Sequence, residues 1–243
     1  MLTIHSSLFF LHILFGSLAL VLFWVPFFTK KGQLNHRKFG SFYTNAMYLV
    51  AASGAIMALM VLADPIGIKG ADMGENVDKE RAAFFYRMFW AFLLYLSLLS
   101  FVTTRHAMAV LKFKDKLQQF RSPMYLSPVI LLIAAGPLFI YLGIKYGFTL
   151  HIIFGSVGLL AGIGTLKYCL QKSIKPRAWI IEHVSSMIGS GIGAYTAFVA
   201  FGGRTLLEDF QQWQAVVWSA PGVIGVTASI VLCKRYSRVF SVA

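Results

Sequence analysis

Long apolar runs alternate with short polar segments along the whole chain. Each run has about the 20 residues that an α-helix needs to cross the hydrocarbon core of a bilayer. We therefore predict an all-α, polytopic membrane helical bundle with seven transmembrane helices. The predicted helices cover residues 6–29, 40–63, 83–108, 124–145, 148–171, 178–201 and 215–233.

Charged residues in the connecting segments indicate how these helices are oriented. Cytoplasmic loops carry an excess of Lys and Arg, and basic residues here follow the odd-numbered helices. The pattern predicts an outside N-terminus and a cytoplasmic C-terminus. The basic residues are Lys30, Lys31, Arg37, Lys38, Lys112, Lys114, Lys116, Arg121, Lys172, Lys175, Arg177, Lys234, Arg235 and Arg238. The acidic residues on the other side are Asp64, Asp72, Glu75, Asp78, Glu80, Glu208 and Asp209.

The composition supports lipid as the main solvent of this protein. Of its 243 residues, 58% are hydrophobic and 13% are charged, whereas soluble domains carry about 25% charged residues. The short loops leave no room for a separate soluble domain, so residues 1–243 are predicted to form a single integral membrane domain. Membrane topology explains the net charge of +13, and we expect no nucleic-acid partner.

A six-residue pattern, His-x-x-Phe-Gly-Ser, occurs three times and begins at His12, His36 and His151. The copies at His12 and His151 each begin a predicted outside-to-inside helix. Each is followed by a basic loop and then by a helix with a histidine near its start, which is His36 or His183. The first and second helices therefore look like a parallel internal repeat of the fifth and sixth.

The spacing of this motif places a glycine one helical turn after each histidine, on the same face. A flat macrocycle bound by the histidine could lie against that bare backbone, and two facing histidines provide the bis-imidazole ligation of haem b. We expect His12 with His151 to bind one haem and His36 with His183 to bind a second, with His106 as a substitute ligand. The candidate cofactor-binding and metal-ligating residues are His12, His151, His36, His183 and His106, with Gly16, Gly40 and Gly155.

Plainer roles exist for the same residues. Glycine beside a bulky side chain is a common packing device between membrane helices, and an interfacial histidine can bond a backbone carbonyl. His36 and His106, beside Arg37 and Arg105, suit such an interfacial role as well as a ligand role. Glu182 can orient a ligand imidazole, or it can pair with Arg177.

The stretch from His36 to Tyr43, after a first helix with His12, resembles the multi-spanning bacterial proteins of the family named domain of unknown function 2306. The later stretch from Glu182 to Phe198 fits the same pattern. The resemblance implies a multi-pass protein of the bacterial inner membrane and supplies no established activity. The histidine pairs are also similar in architecture to di-haem transmembrane cytochromes b.

These features favour a haem b protein that transfers electrons across or within the membrane, with quinone or a redox protein as its partner. A zinc-dependent hydrolase is the first alternative, with His36, His106 and His183 as ligands and Glu182 as base. A transporter, including a proton-coupled carrier, is the second alternative, because parallel repeats and small residues suit that class. A scaffold or assembly factor with structural histidines is the third alternative, and the sequence leaves all four functions open.

Overall fold

The computed structural model describes residues 2–70, 77–203, 213–240 and 242. In that part of the chain every regular element is a helix, which confirms the all-α prediction. The α-helices are α1 (Leu2–Phe28), α2 (Leu34–Ala63), α3 (Pro65–Lys69), α4 (Lys79–Phe113), α5 (Pro123–Tyr146), α6 (Thr149–Leu170), α7 (Ala178–Ala197) and α8 (Gln214–Val239). A 3-10 helix at Leu117–Arg121 precedes α5, and a π-helical turn at Phe198–Gly202 extends α7.

Seven of the described helices, all except the short α3, are long and apolar enough to cross a membrane. Large apolar side chains such as Phe10 and Val21 on α1, and Val223 and Ile224 on α8, are exposed, as expected for surfaces that contact lipid. The protein is therefore a multi-pass helical membrane protein. Its orientation, its internal repeat and its single-domain organisation stay predictions. The acidic residues Asp72, Glu75, Glu208 and Asp209 lie outside the described residues.

The helices extend beyond the predicted apolar runs at several ends. The second begins at Leu34 rather than residue 40, and α4 runs from Lys79 to Phe113 rather than from 83 to 108. Hydropathy detects only the part of a helix that lies in lipid, while backbone hydrogen bonding continues through the polar turns on either side. The apolar runs did not reveal α3 or the 3-10 helix, because each has only 5 residues and is too short to span a membrane.

The first of two compact units comprises residues 1–101 and 138–154. Within it, α1 and α2 pack together as a hairpin, and Met57, Val61, Ile68 and Trp90 belong to a buried apolar cluster. The carboxylate of Asp64 caps α3 by accepting the Gly67 N–H at 2.8 Å. The helix α3 also carries Lys69, whose ammonium lies 4.8 Å from the centre of the Trp90 ring, and desolvation lowers the pKa of this lysine.

The second compact unit comprises residues 102–137 and 155–243. Its described core joins α4, the 3-10 helix, α5 and α6, through Val110, Phe120, Tyr125, Tyr168 and Cys169. Helices α7 and α8 also pack together in this unit. This core surrounds the polar side chains that form the candidate site.

Candidate functional site

In the second unit, a cluster of hydrogen-bonded polar side chains is centred on His106 of α4. Its side chain is only 1% exposed, and both of its ring nitrogens have side-chain partners. Nδ1 lies 2.8 Å from the hydroxyl of Tyr125, and Nε2 lies 2.9 Å from Oε1 of Glu182. Glu182 is 27% exposed, so the network joins a buried imidazole to a carboxyl group that reaches the surface of the chain.

The chemistry of these groups allows two protonation states with the same hydrogen-bond partners. With Glu182 ionised and His106 neutral, Nε2–H donates to the carboxylate and the Tyr125 hydroxyl donates to Nδ1. With one more proton, Nδ1–H donates to the Tyr125 oxygen after its hydroxyl has rotated. The extra proton resides either on the imidazole or on Glu182, which then donates to Nε2. The network can therefore accept and release a proton without losing a hydrogen bond at either ring nitrogen.

Local structure places each member of the network. Tyr125 is in the first turn of α5, which begins at Pro123. Proline is tolerated at this first position because an N–H there would have no partner within the helix. The backbone N–H of Tyr125 donates to the carbonyl of Ser122 at 2.9 Å. The guanidinium of Arg105 donates to the Tyr125 carbonyl and lies 4.4 Å from the centre of its ring. Arg105 thereby fixes the start of α5 beside His106.

Aromatic rings enclose the imidazole. Phe120 and Tyr168 both meet His106 edge to face, with ring centres 5.9 and 5.4 Å away. Such an apolar wall strengthens electrostatic interactions inside the cluster because it excludes water. Arg121 caps the C-terminal end of α6 by donating to the carbonyls of Cys169 and Gln171 at 3.2 and 2.7 Å.

His183, the neighbour of Glu182, has a different role. Its Nδ1 lies 2.8 Å from the carbonyl oxygen of Ala107, so it donates there and attaches α7 to α4. Adjacent residues on a helix point about 100° apart, which explains why Glu182 and His183 reach different atoms of α4. The carboxyl group of Glu182 orients an imidazole, as one prediction required, but that imidazole belongs to His106.

His36 lies in the first unit, near the start of α2. Its Nδ1 is 3.2 Å from the carbonyl oxygen of Pro26, and the ammonium of Lys31 also donates to that oxygen. The last carbonyls of an α-helix have no partner within the helix, so both residues satisfy the end of α1. The interfacial role predicted for His36 is therefore the one that its contacts match. Its pairing with His183 across a haem stays a prediction.

His12 packs between α1 and α2 in the first unit. Its Nδ1 is 3.0 Å from Oγ of Ser53. That hydroxyl lies 2.7 Å from the carbonyl of Leu49, to which it can only donate, so Ser53 accepts the proton of Nδ1. Gly54 leaves the space for this ring, because a Cβ there would lie 3.3 Å from Cε1 of His12 and 2.7 Å from Oγ of Ser97 on α4.

His151 is buried among aromatic side chains of the first unit, with 4% of its surface exposed. Its ring stacks on Phe92 at 4.1 Å and is tilted against Phe148 at 5.0 Å. It is hydrogen-bonded to the backbone of Met88, while its Nε2 has no partner among the described residues. The donor to Met88 is therefore Nδ1–H, and Nε2 carries a buried, unused lone pair.

The expected pairing of His12 with His151 across one haem stays a prediction, and the contacts of the two residues do not favour it. His12 lies beside Ser97, and His151 stacks on Phe92. Ser97 and Phe92 are separated by about 140° around the axis of α4. The helix therefore stands between the two imidazoles, whereas axial ligands of one haem must face each other from opposite sides of its iron.

The motif glycines do not share one function. At Gly16, a Cβ would meet Val50 at 3.9 Å, which is ordinary packing between α1 and α2. A Cβ at Gly40 would meet nothing within 4 Å in the described structure. Gly155 is buried in α6. The prediction of a bare backbone gap beside each histidine is thus not matched at Gly16, where the glycine serves helix packing.

The predicted zinc site lacks geometric support as well. Within the part of the chain that the structure describes, no three side chains of His, Cys, Asp or Glu are placed to hold one metal ion. Both ring nitrogens of His106, one of the three expected ligands, are already hydrogen-bonded.

Comparison with known proteins found no matching family model, no matching curated protein and no matching solved structure. The resemblance to the family named domain of unknown function 2306 therefore stays a prediction.

Sequence reasoning missed two members of the site neighbourhood, Tyr125 and Tyr168. Both lie at helix ends, where aromatic residues usually anchor a membrane helix at its interface. No sequence pattern links Tyr125 to His106 or His106 to Glu182, because these contacts join residues 19 and 76 positions apart.

Proposed function

We propose that the protein is a proton-coupled membrane transporter in which Tyr125, His106 and Glu182 carry the proton. The observation that carries this proposal is the double engagement of the His106 ring, by a hydroxyl at 2.8 Å and a carboxyl group at 2.9 Å. Ionisable residues within membrane helices are expensive, and chains of Asp, Glu and His mark proton relays in pumps and transporters.

The arrangement suits proton transfer for a specific reason. In the state with one more proton, that proton can lie on Nε2 of His106 or on Glu182, because the two atoms are within hydrogen-bond distance. When both ring nitrogens of His106 carry a proton, Nδ1–H can pass its proton to the oxygen of Tyr125 while Tyr125 releases its own hydroxyl proton to an acceptor beyond the network. Nε2 keeps its proton, and the network returns to its first state. Because Glu182 is partly exposed and His106 is buried, the proton passes between the surface of the chain and its interior. The predicted orientation assigns this surface to the cytoplasm, and the bacterial inner membrane is the proposed location.

Proton flux into liposomes tests the proposal. Purified protein is reconstituted with a pH-sensitive dye inside the vesicles, and a potassium diffusion potential drives proton entry. The wild-type protein is expected to acidify the lumen, whereas Glu182→Gln, which keeps the shape and a hydrogen-bonding oxygen, is expected to reduce the rate at least tenfold. Glu80→Gln is the matched control, because Glu80 lies exposed in the first turn of α4. Equal flux in wild type and Glu182→Gln would contradict the proposal.

Haem b binding with electron transfer is the second candidate, and the buried lone pair of His151 favours it. A ligand imidazole commonly donates its other N–H to a backbone carbonyl, as Nδ1 of His151 does toward Met88. His151 would then be one of the residues that hold the haem, the rings of Phe92 and Phe148 would exclude water, and the haem would supply the one-electron chemistry. Quinone or a redox protein is the proposed partner.

An absorption spectrum of the detergent-purified protein, oxidised and then reduced, tests the haem candidate. The candidate predicts a haem b spectrum that His151→Leu abolishes and that His12→Leu leaves intact, because His12 lies on the other side of α4. A spectrum without haem bands, from protein made with ample haem, would remove this candidate and leave the proton proposal unaffected.

A further inference from the structure

Tyr168 of α6 has a buried hydroxyl that the proposed function does not yet use. Its side chain is 5% exposed, and its hydroxyl oxygen has no hydrogen-bond partner among the described residues. The ring is held between Phe120 and His106, with ring centres 5.7 and 5.4 Å away. The phenol therefore lies in the wall of the network and cannot turn toward solvent without losing these contacts.

A buried hydroxyl without a hydrogen-bond partner is unfavourable, because it has lost its hydrogen bonds to water and gained none in the protein. Groups of this kind in folded proteins are usually satisfied by a buried water molecule, provided that the site offers two or more polar partners. Glu182 provides the second partner. Glu182 and Tyr168 both contact the His106 ring, the first through a hydrogen bond at 2.9 Å and the second with ring centres 5.4 Å apart. His106 engages Oε1 of Glu182, which leaves Oε2 able to accept another hydrogen bond.

Other charged and titratable groups also surround this place. Arg105 on α4 and Arg121 on the 3-10 helix lie within electrostatic range of Cys169, the neighbour of Tyr168 on α6. Cys233 on α8 lies within range of Glu182. Tyr125 on α5 contacts the far side of the His106 ring. Of these groups, Glu182 alone supplies an anionic acceptor beside the phenol, because the arginines donate and Tyr125 is engaged by His106.

We propose that a water molecule binds between Tyr168 and Glu182, accepting the hydroxyl proton of Tyr168 and donating to the carboxyl group of Glu182. Its role in transport rests on the proposed function: the water passes one proton to the Glu182 carboxylate as it receives another from the aqueous side. No covalent bond other than these O–H bonds forms or breaks. Tyr168 is a positioning residue in this step, because it holds the water and keeps its own proton.

Thermal unfolding of Tyr168→Phe in lipid nanodiscs tests the water site. If water satisfies the hydroxyl, the variant loses that hydrogen bond and its Tm falls below that of the wild type. If the phenol is unsatisfied, removing its oxygen relieves the burial penalty, and the Tm rises or stays unchanged, which would overturn the proposal. Tyr86→Phe is a control for the loss of a hydroxyl, because Tyr86 donates to the Lys69 carbonyl in the first unit.

A second measurement decides the matter if the variant does not fold. An experimental structure of the wild-type protein at a resolution that shows waters should contain density within hydrogen-bond distance of both oxygens. If that structure shows no water density there and the Tyr168 hydroxyl contacts only apolar side chains, the proposal is overturned. Proton flux separates the two proposals: Tyr168→Phe should slow flux severalfold while Glu182→Gln nearly abolishes it. If neither variant changes flux, the transport role falls, and the Tm and the density still decide the water site.

Discussion

Both ring nitrogens of His106 are hydrogen-bonded to side chains, whereas His36 and His183 each bond a backbone carbonyl. This difference separates a histidine that can pass a proton on from one that only joins two helices. Toward His106, Tyr125 and Glu182 can each reverse between donor and acceptor. The carbonyls that hold His36 and His183 can only accept. A carbonyl fixes the proton on Nδ1 and makes that nitrogen a structural donor, whereas a hydroxyl and a carboxyl group permit the proton to move.

Removing the imidazole of His106 is expected to destabilise the protein. His106→Leu fills the same space but leaves the Tyr125 hydroxyl and the Glu182 carboxyl group without their partner, which should lower the free energy of unfolding by about 1–3 kcal/mol. Denaturant titration in a detergent micelle, followed by helical circular dichroism, measures this difference. A stability equal to that of the wild type would show that the contacts of His106 contribute nothing to the fold.

His151→Phe, in contrast, should change the stability of the protein little. The substitution removes a buried nitrogen that has no partner in the described structure and extends an aromatic cluster with Phe92 and Phe148. It also removes one hydrogen bond to Met88, so we expect a change in the free energy of unfolding within about 1 kcal/mol of zero. The same titration measures it beside His106→Leu. A loss as large as that of His106→Leu would show that a tightly bound group occupies Nε2 in the folded protein.

At the scale of elements, the α5–α6 hairpin shows how glycine permits a close approach of helices. Gly147 ends α5 with a φ of +74°, and the N–H of Phe148 donates to the Gly143 carbonyl at 2.8 Å. A Cβ at Gly143 would lie 2.9 Å from the backbone nitrogen of Ile152 and 2.6 Å from its Cγ1. Backbone atoms cannot yield as a side chain can, so this glycine sets the distance between the helices.

Two alanine substitutions test this account. Gly143→Ala should lower the free energy of unfolding by about 1–3 kcal/mol, the range of overpacking in a filled site. Gly164→Ala in α6 is the matched control, because its Cβ meets no described atom within 4 Å, and it should be neutral or stabilising by up to about 1 kcal/mol. Thermal unfolding of both variants gives the comparison. Equal losses in the two variants would contradict the role assigned to the close contact at Gly143.

Apolar periodicity could predict the existence and order of the membrane helices, because lipid imposes length and composition on each span. It could not predict that α2 begins at Leu34, since the first turns of that helix are polar and carry no hydropathy signal. The histidine motif could nominate His12, His36 and His151, but their partners depend on how the helices are rotated. The rotation of α4 about its own axis places Ser97 near His12 and Phe92 against His151.

Glu182 illustrates the same limit at the candidate site. A glutamate next to a histidine in a membrane span is a visible signal, and it nominated Glu182 as a candidate residue near the start of α7. Its partner could not be predicted, because His106 lies 76 positions away and beside an arginine that suggested an interfacial role. Contacts of that length depend on tertiary packing, for which one sequence carries no direct pattern.

At the scale of the whole molecule, the alternation of basic loops predicts the direction of every span. Basic residues lie in the segments that follow α1, α4 and α6 in the structure, and in the last turns of α8. Because Lys and Arg are retained in the cytoplasm, this pattern predicts that these segments are cytoplasmic. The site around His106 and Glu182 would then open toward the cytoplasm.

Cysteine accessibility tests this orientation. In a variant without Cys169 and Cys233, Lys116→Cys and Lys175→Cys should react with a membrane-impermeant maleimide only after the cells are opened. Glu80→Cys should react in intact cells, because Glu80 is exposed at the opposite end of α4. Reaction of Lys116→Cys in intact cells would reverse the predicted orientation and place the site on the outer side.

The proposed function depends on proton exchange between Glu182 and His106. Infrared difference spectroscopy tests this exchange directly, because it observes the carboxyl group itself. Protein in lipid nanodiscs is cycled between acidic and alkaline buffer, and the spectrum of Glu182→Gln is subtracted to isolate the bands of this carboxyl group. If the two residues exchange a proton, a carboxyl band of Glu182 should appear and disappear reversibly as the buffer is cycled. The band should also change in position when the histidines carry ¹⁵N in their rings. A Glu182 band that does not change on cycling, or that ignores the histidine label, would contradict a proton relay through His106.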